Sequence, residues 1–214
     1  MAPSPPILLA HRGFRGAGRP DNTLPAIVAA RGVADGVEVD VRETADGVLV
    51  LSHDPILFGV SVAAAAYSEL VAACRARGHP LTTLQQAVEA LAPSAWLDAE
   101  VKVAGLGEAV FAAAHPTFGS RLRVSSFSPA FLEGVPPEFR WAISMLLPGP
   151  GEPIETAGLV APCAAYLAAA TRDRAPHREL AAWQVTSVAE ADELLGLGVR
   201  FLIVDHPEAF VTRM

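Results

Sequence analysis

Short apolar runs alternate with stretches of helical period along most of the chain. Ile7-Leu8-Leu9-Ala10 is the first run and ends in His11-Arg12-Gly13. From Gly36 the pattern changes: Val37, Val39 and Val41 alternate with Glu38 and Asp40. In a β-strand, residues i and i+2 share a face, so both carboxylates project to one side and the valines to the other. A turn at Ala45-Asp46-Gly47 leads into Val48-Leu49-Val50-Leu51, which has no polar face and reads as buried. His53 and Asp54 follow it directly. Ala95 to Val103 repeats the two-faced pattern, with Asp98, Glu100 and Lys102 opposite Leu97, Ala99, Val101 and Val103. Further strands are predicted over 122–127, 140–147, 159–161, 181–185 and 201–204.

Helices are predicted between these runs. Leu24 to Val33 follows Asn22 or Thr23 as N-cap, with Pro25 in the first turn, where proline is tolerated. Ala63 to Arg77 places Tyr67, Leu70, Val71 and Cys74 at helical spacing. Thr82 or Thr83 caps Leu84 to Leu91, and Leu106 to Ala114 follows the two-faced strand. A short helix is expected from Ser128-Pro129, another over Ala164 to Thr171, and a last one capped by Ser187 and running to Leu197. Strand–helix alternation predicts a parallel sheet with right-handed crossovers. If Val48–Leu51 folds back on Val37–Val41, eight strands remain, beginning near residues 7, 36, 96, 122, 140, 158, 181 and 201. The expected fold is therefore an α/β (β/α)8 barrel, one domain over residues 1–214, with a short insertion after His53-Asp54. A doubly wound open sheet is the alternative, weakened by the lack of a glycine-rich turn after the first strand.

Composition narrows the partners. Half the chain is hydrophobic (51%) and only 18% is charged, enough for a large core. The net charge of −7 argues against nucleic acid, whose phosphates demand basic patches. An anionic substrate would need local cations or a metal. Cys74 and Cys163 lie far apart and read as reduced packing thiols of a cytoplasmic protein. The N-terminus shows no basic segment before its four-residue apolar run, so no ordinary signal peptide is expected, and no stretch reads as a membrane span.

Barrels of this type gather their chemistry at the C-terminal ends of the strands. That rule brings His11 and Arg12, Glu38 and Asp40, His53, and Glu100 and Lys102 to one rim. Three carboxylates without a cysteine form an all-oxygen set suited to a hard divalent cation, Mg²⁺ or Ca²⁺. Arg12 and Lys102 supply positive charge for an anion, the first as a fork and the second as a point. His11 and His53 come from opposite sides and suit general acid and base roles near neutral pH. Together these groups describe phosphoryl transfer. Asp98 lies one step deeper than Glu100 and reads as a supporting hydrogen-bonding group. His79, His115, His177 and His206 each adjoin a proline in a loop and are given no role.

At these residues the sequence resembles the glycerophosphodiester phosphodiesterases. His-Arg-Gly at 11–13, Pro-Asp-Asn-Thr at 20–23, Glu-x-Asp at 38–40, Asp-Gly at 46–47, His-Asp at 53–54 and Glu-x-Lys at 100–102 stand in the family's order. Weaker matches continue through Ser126-Phe127, Trp183 and Asp205-His206-Pro207. The resemblance implies the barrel, a divalent metal on Glu38, Asp40 and Glu100, and His11 and His53 as the acid–base pair. It implies hydrolysis of small-molecule glycerophosphodiesters to sn-glycerol 3-phosphate and an alcohol. It also implies an aromatic near the glycerol site, for which Trp183 is the candidate; a core position is its other reading. The sequence departs from the pattern at Asp21, where glutamate is usual, and at Gln184 and Val204, where threonine is common. Residues 55–80 are short for the family's insertion. Two rivals are a lysophospholipase D-like activity, favoured if Ile56, Leu57, Phe58, Val60 and Val62 line an apolar groove, and a non-catalytic sugar-phosphate-binding barrel. Intact His11 and His53 speak against the second.

Overall fold

The computed structural model describes residues 5–16, 18–126, 143–146, 158–161 and 179–210. The helices expected from Ser128 and over 164–171, and Cys163, lie outside them. Strand β1 (Ile7–His11) pairs in parallel with β2 (Gly36–Glu43) on one side and with the last strand, β11 (Val199–Val204), on the other. Between them the ring runs β2, β6 (Trp96–Val101), β7 (Leu122–Ser126), β8 (Ile143–Leu146), β9 (Gly158–Ala161), β10 (Glu179–Val185) and β11, every neighbour parallel. An open sheet leaves two edges; here the first strand joins both ends, so the sheet is a closed eight-stranded barrel. Strand β3 (Leu49–Leu51) stands outside the ring and pairs antiparallel with β2, Val41 opposite Leu51.

Alternation decides what faces in and out. Val37, Val39 and Val41 point outward into a core shared with Ile27 of α1 (Leu24–Ala29), Leu84 and Val88 of α3 (Leu84–Ala90), and Val110 and Phe111 of α4 (Gly107–Phe118). Inside, Ile7, Leu9, Ala181, Phe201 and Ile203 form one apolar cluster against Trp96 and Trp183. Across from it the interior is polar: Glu38, Asp40, Asp98, Glu100, Arg123 and Ser125 are all buried. Asp98 stands opposite Arg123 in the register, with Nε of the arginine 3.5 Å from the carboxylate, while the guanidinium covers the Phe201 ring at 4.1 Å. Trp96 meets the same ring edge-on at 4.9 Å. This pair and its rings lie below the rim.

The helix ends follow their local chemistry. Thr83 and Gln86 form a reciprocal capping box at α3, and Ser187 caps α5 (Val188–Gly196) by accepting from the Glu190 amide. Helix α1 departs from expectation. It ends at Ala29, and Gly32 beyond it takes a left-handed backbone (φ 82°). Thr23 stands at its N-cap, as one of the two expected residues, but makes no side-chain cap bond: its hydroxyl donates to the Pro20 carbonyl, and Thr82 accepts from the Leu24 amide across 58 residues. The insertion is a hairpin, β4 (Ile56–Leu57) and β5 (Val60–Ser61), followed by α2 (Tyr67–Arg75). The five residues whose apolar groove would favour the lysophospholipase D-like rival do not line one together. Val62 is buried, and Leu57 and Val60 pack with it against Val50 and Leu70. Only Ile56 and Phe58 of that set face outward, because alternation in the hairpin divides the five residues between two faces.

Candidate active site

The chain leaves β1 through a sharp turn that places two functional groups at once. Arg12 takes a left-handed backbone (φ 57°), rare for a long side chain, and its amide donates to Glu38 Oε2 at 3.1 Å. Gly13 follows at φ 81°, and a Cβ there would sit 2.7 Å from the Ala26 backbone of α1. The glycine of His-Arg-Gly is therefore a steric necessity: only glycine lets the strand end pass so close to the helix.

His11 is buried. Its Nδ1 lies 2.7 Å from Asp205 Oδ1 and its Nε2 lies 3.8 Å from Glu38 Oε2. Asp205 follows β11 and is held on its other oxygen by Arg15 and by the Gln184 side-chain amide. Gln184, a departure from the family's usual residue, thus supports the histidine's partner. Burial works against the Asp205 charge, but the hydrogen bond and charge of His11, with Arg15, outweigh it and bring its pKa down to about 2. A depressed carboxylate stabilises the fold above its unfolded pKa, and that contribution disappears as pH falls from about 4 towards 2. Asp205→Asn is expected to cost roughly 1–2 kcal/mol at pH 7 and almost nothing near pH 2. Urea unfolding of both proteins across that range measures it; an equal cost at both ends would refute the charge argument.

Glu38 and Asp40 stand on the inner face of β2, with Glu100 beside Asp40 on β6. One carboxylate oxygen from each lies within 4.8 Å of the others. Asp40 is the most heavily bonded. Arg12 Nε reaches it at 3.0 Å and Lys102 Nζ at 2.8 Å. Asn22, left-handed at φ 56°, grips it twice, donating to Oδ2 at 2.7 Å and accepting from its amide at 3.0 Å. Burial would raise the Asp40 pKa, but Lys102, Arg12 and Asn22 together hold it below the usual range. Lys102 also pairs with Glu100, and Asp21 takes the far nitrogen of Arg12 at 3.2 Å. Glu38 feels Lys102 only as the smallest of its influences. Burial, then the charges of Asp40, Glu100 and Asp98, push its pKa well above normal. Its Oε1 is buried without a hydrogen-bond partner among the described residues. Glu100 is raised to about 7, again chiefly by burial.

This is the signature of a site short of one positive charge. Three converging carboxylates, one with an orphaned oxygen and two with raised pKa values, fit a hard divalent cation with all-oxygen coordination. Because Glu100 must lose its proton to bind metal, and Glu38 likewise, acid competes with the cation. Affinity for Ca²⁺ or Mg²⁺ is expected to fall about tenfold or more between pH 8 and pH 6. Calorimetric titration at the two pH values checks this, and equal affinity would remove Glu100 from the ligand set.

A cleft of about 390 Å³, open to solvent, runs over these groups. His11, Arg12, Glu38, His53, Glu100, Lys102 and Trp183 line it, so seven of the eight residues singled out from sequence face one space. Asp40 lies beneath it. His53 sits on the exposed side with Nδ1 2.8 Å from Asp54, and its carbonyl takes two donors from Arg42 at 3.1 and 2.7 Å. Three contributors were given no role from sequence: Ser125, whose hydroxyl donates to Asp98 at 2.8 Å, Ile203 of the wall, and Asp205, named only in a weaker motif match.

The fold and this rim define a class: a closed (β/α)8 barrel whose C-terminal mouth holds an acidic cluster flanked by arginine, lysine and two histidines. The sequence profile of the Glycerophosphoryl diester phosphodiesterase family matches residues 11–110. A Mycobacterium tuberculosis protein named "Probable glycerophosphodiester phosphodiesterase 1" is 46% identical over 69 residues, 32% of this chain and 25% of that one. The chain thus matches about a quarter of that curated relative's length. A glycerophosphodiester phosphodiesterase structure from Agrobacterium tumefaciens superposes with a TM-score of 0.73 at 25% identity, covering 97% of this chain and 99% of the other. An Oleispira antarctica phosphodiesterase, solved with the product sn-glycerol-3-phosphate, superposes at 0.72 with 23% identity, covering 97% and 96%. The chain thus matches the glycerophosphodiester phosphodiesterase profile over residues 11–110, and its fold is that of glycerophosphodiester phosphodiesterase structures over nearly all its length.

Proposed function

We propose that the protein is a metal-dependent phosphoric diester hydrolase that releases sn-glycerol 3-phosphate and an alcohol from glycerophosphodiesters. The observation that supports this best is the meeting of Glu38, Asp40 and Glu100 with two cations and two histidines over a single cleft. Glu38, Asp40 and Glu100 would hold the cation, which supplies Lewis-acid stabilisation of the phosphoryl oxygens. Arg12 and Lys102, already fixed against Asp40, offset negative charge growing on the diester in the transition state. His11 and His53 divide the proton transfers: one takes the proton of the attacking hydroxyl or water, the other returns one to the leaving alkoxide. Each has its Nδ1 against a carboxylate, which orients the ring and leaves Nε2 for the reaction. Trp183 forms an apolar wall against which the carbon face of a glycerol moiety packs.

The test is release of glycerol 3-phosphate from glycerophosphocholine and glycerophosphoethanolamine with Mg²⁺ or Ca²⁺ and with EDTA. Release is expected to need the metal and to fall about tenfold or more in Glu38→Gln, which keeps the shape and removes the charge. Release that survives EDTA and Glu38→Gln would place the chemistry elsewhere. A folded protein that binds metal and turns over no diester would favour the binding barrel.

A further inference from the structure

The insertion that begins just after His53-Asp54 presents a feature the reaction does not use. Leu57 and Val60 face each other across the hairpin, so Phe58 and Gly59 are its two-residue loop. Both have left-handed backbones, φ 51° and 86°, as a type I′ turn requires. The first position of such a turn suits asparagine, aspartate or glycine; an aromatic side chain there is strained. The strain does not serve burial: Phe58 is 42% exposed, and Ile56 beside it is 58% exposed. Leu57 and Val60 already anchor the hairpin to the core, and Ile56 and Phe58 stand outside that cluster. Strain held to present a half-exposed aromatic outside the core is the pattern of a functional surface.

The surroundings indicate what meets it. The Arg77 guanidinium lies 5.9 Å from the Phe58 ring, and His79 meets that ring edge-on at 5.5 Å. Arg75, in the last turn of α2, and His79 line a shallow groove with Tyr67, Val71 and Leu81 on the same insertion. Two exposed arginines beside two exposed apolar side chains form a local cationic patch on a chain of net charge −7. The acids nearby are Asp46, which accepts from the Tyr67 amide at 2.9 Å, Asp54, engaged with His53, and Glu69 in the first turn of α2. Apolar tips that can enter the acyl boundary, ringed by arginines that attract anionic headgroups, match the chemistry of an interfacial membrane contact.

We propose that the 55–61 hairpin, with Arg75 and Arg77, docks the protein on an anionic lipid surface and holds the cleft beside it. This reading stands on the hairpin alone and does not depend on the reaction proposed above. The test is co-sedimentation of the full chain with vesicles of phosphatidylcholine alone, or with phosphatidylglycerol as the minor component. Binding is expected to the anionic vesicles only, and to weaken with added salt. Ile56→Ser with Phe58→Asn is expected to weaken it about tenfold or more, while Arg75→Ala and Arg77→Ala weaken it about fivefold each. Phe58→Asn relieves the turn, so its melting temperature is expected to hold or rise; loss of binding then cannot be loss of fold. Release of glycerol 3-phosphate from soluble diesters should not change in these variants. Equal binding to both vesicle types, or binding unchanged in the Ile56→Ser, Phe58→Asn variant, would overturn the proposal. So would light scattering that shows a dimer dispersed by the same substitutions, since a second copy would then be the occupant. Vesicle binding without diester turnover would leave the docking surface standing and count against the hydrolase alone.

Discussion

Replacing His11 with alanine is expected to lower kcat for glycerophosphocholine by about 10²–10⁴ and to leave KM nearly unchanged. His11 is the better placed of the two histidines. It is buried at the end of β1, its Nδ1 is fixed by Asp205, and its Nε2 lies beside Glu38 at the cleft. That arrangement commits one nitrogen to orientation and frees the other for proton transfer. Asp205→Asn keeps the size of the partner but removes its charge, so its effect should be smaller and should fall on kcat as well. A His11→Ala enzyme that retains more than about a tenth of the rate would exclude general acid–base work by this residue.

The parts of the site legible in the sequence were those fixed by local geometry. The i, i+2 spacing of Glu38 and Asp40, and of Glu100 and Lys102, sets their shared face without reference to the fold. The hydrophobic return of Leu49 to Leu51 predicts the antiparallel add-on, and the remaining runs predict the eight ring strands. What escaped were contacts made by closure. Asp205 meets His11 only because β11 pairs with β1, 194 residues apart. Thr82 caps α1 only because the stretch before α3 crosses its N-terminus. Asn22 reads as a helix cap from its neighbours, yet the more demanding claim on it is the buried Asp40 carboxylate. The split of the hairpin's apolar residues between core and solvent likewise depends on its register, which Phe58-Gly59 does not advertise as a turn.

Arg123→Met is expected to destabilise the protein by about 3–5 kcal/mol, the largest effect on stability from any single change considered. Arg123 and Asp98 face each other inside the barrel, both buried, below the rim that carries the three carboxylates. Burial lowers the Arg123 pKa in spite of Asp98, which shows how much desolvation the pair absorbs. Methionine retains much of the apolar contact with Phe201 and so isolates the charge. Asp98 would then be left with the Ser125 hydroxyl at 2.8 Å and no facing cation from β7. Its charge already raises the pKa of Glu38 and Glu100, and without Arg123 that charge would act on the rim with no counter-charge from β7. The double variant Arg123→Met, Asp98→Leu removes both charges, and most of the stability should return, since an apolar pair pays no desolvation. Urea unfolding of the four members of this cycle decides between two origins for the pair. Recovery in the double variant means the pair is retained for the field it sets under the carboxylates, whereas a further loss means that it holds the barrel together.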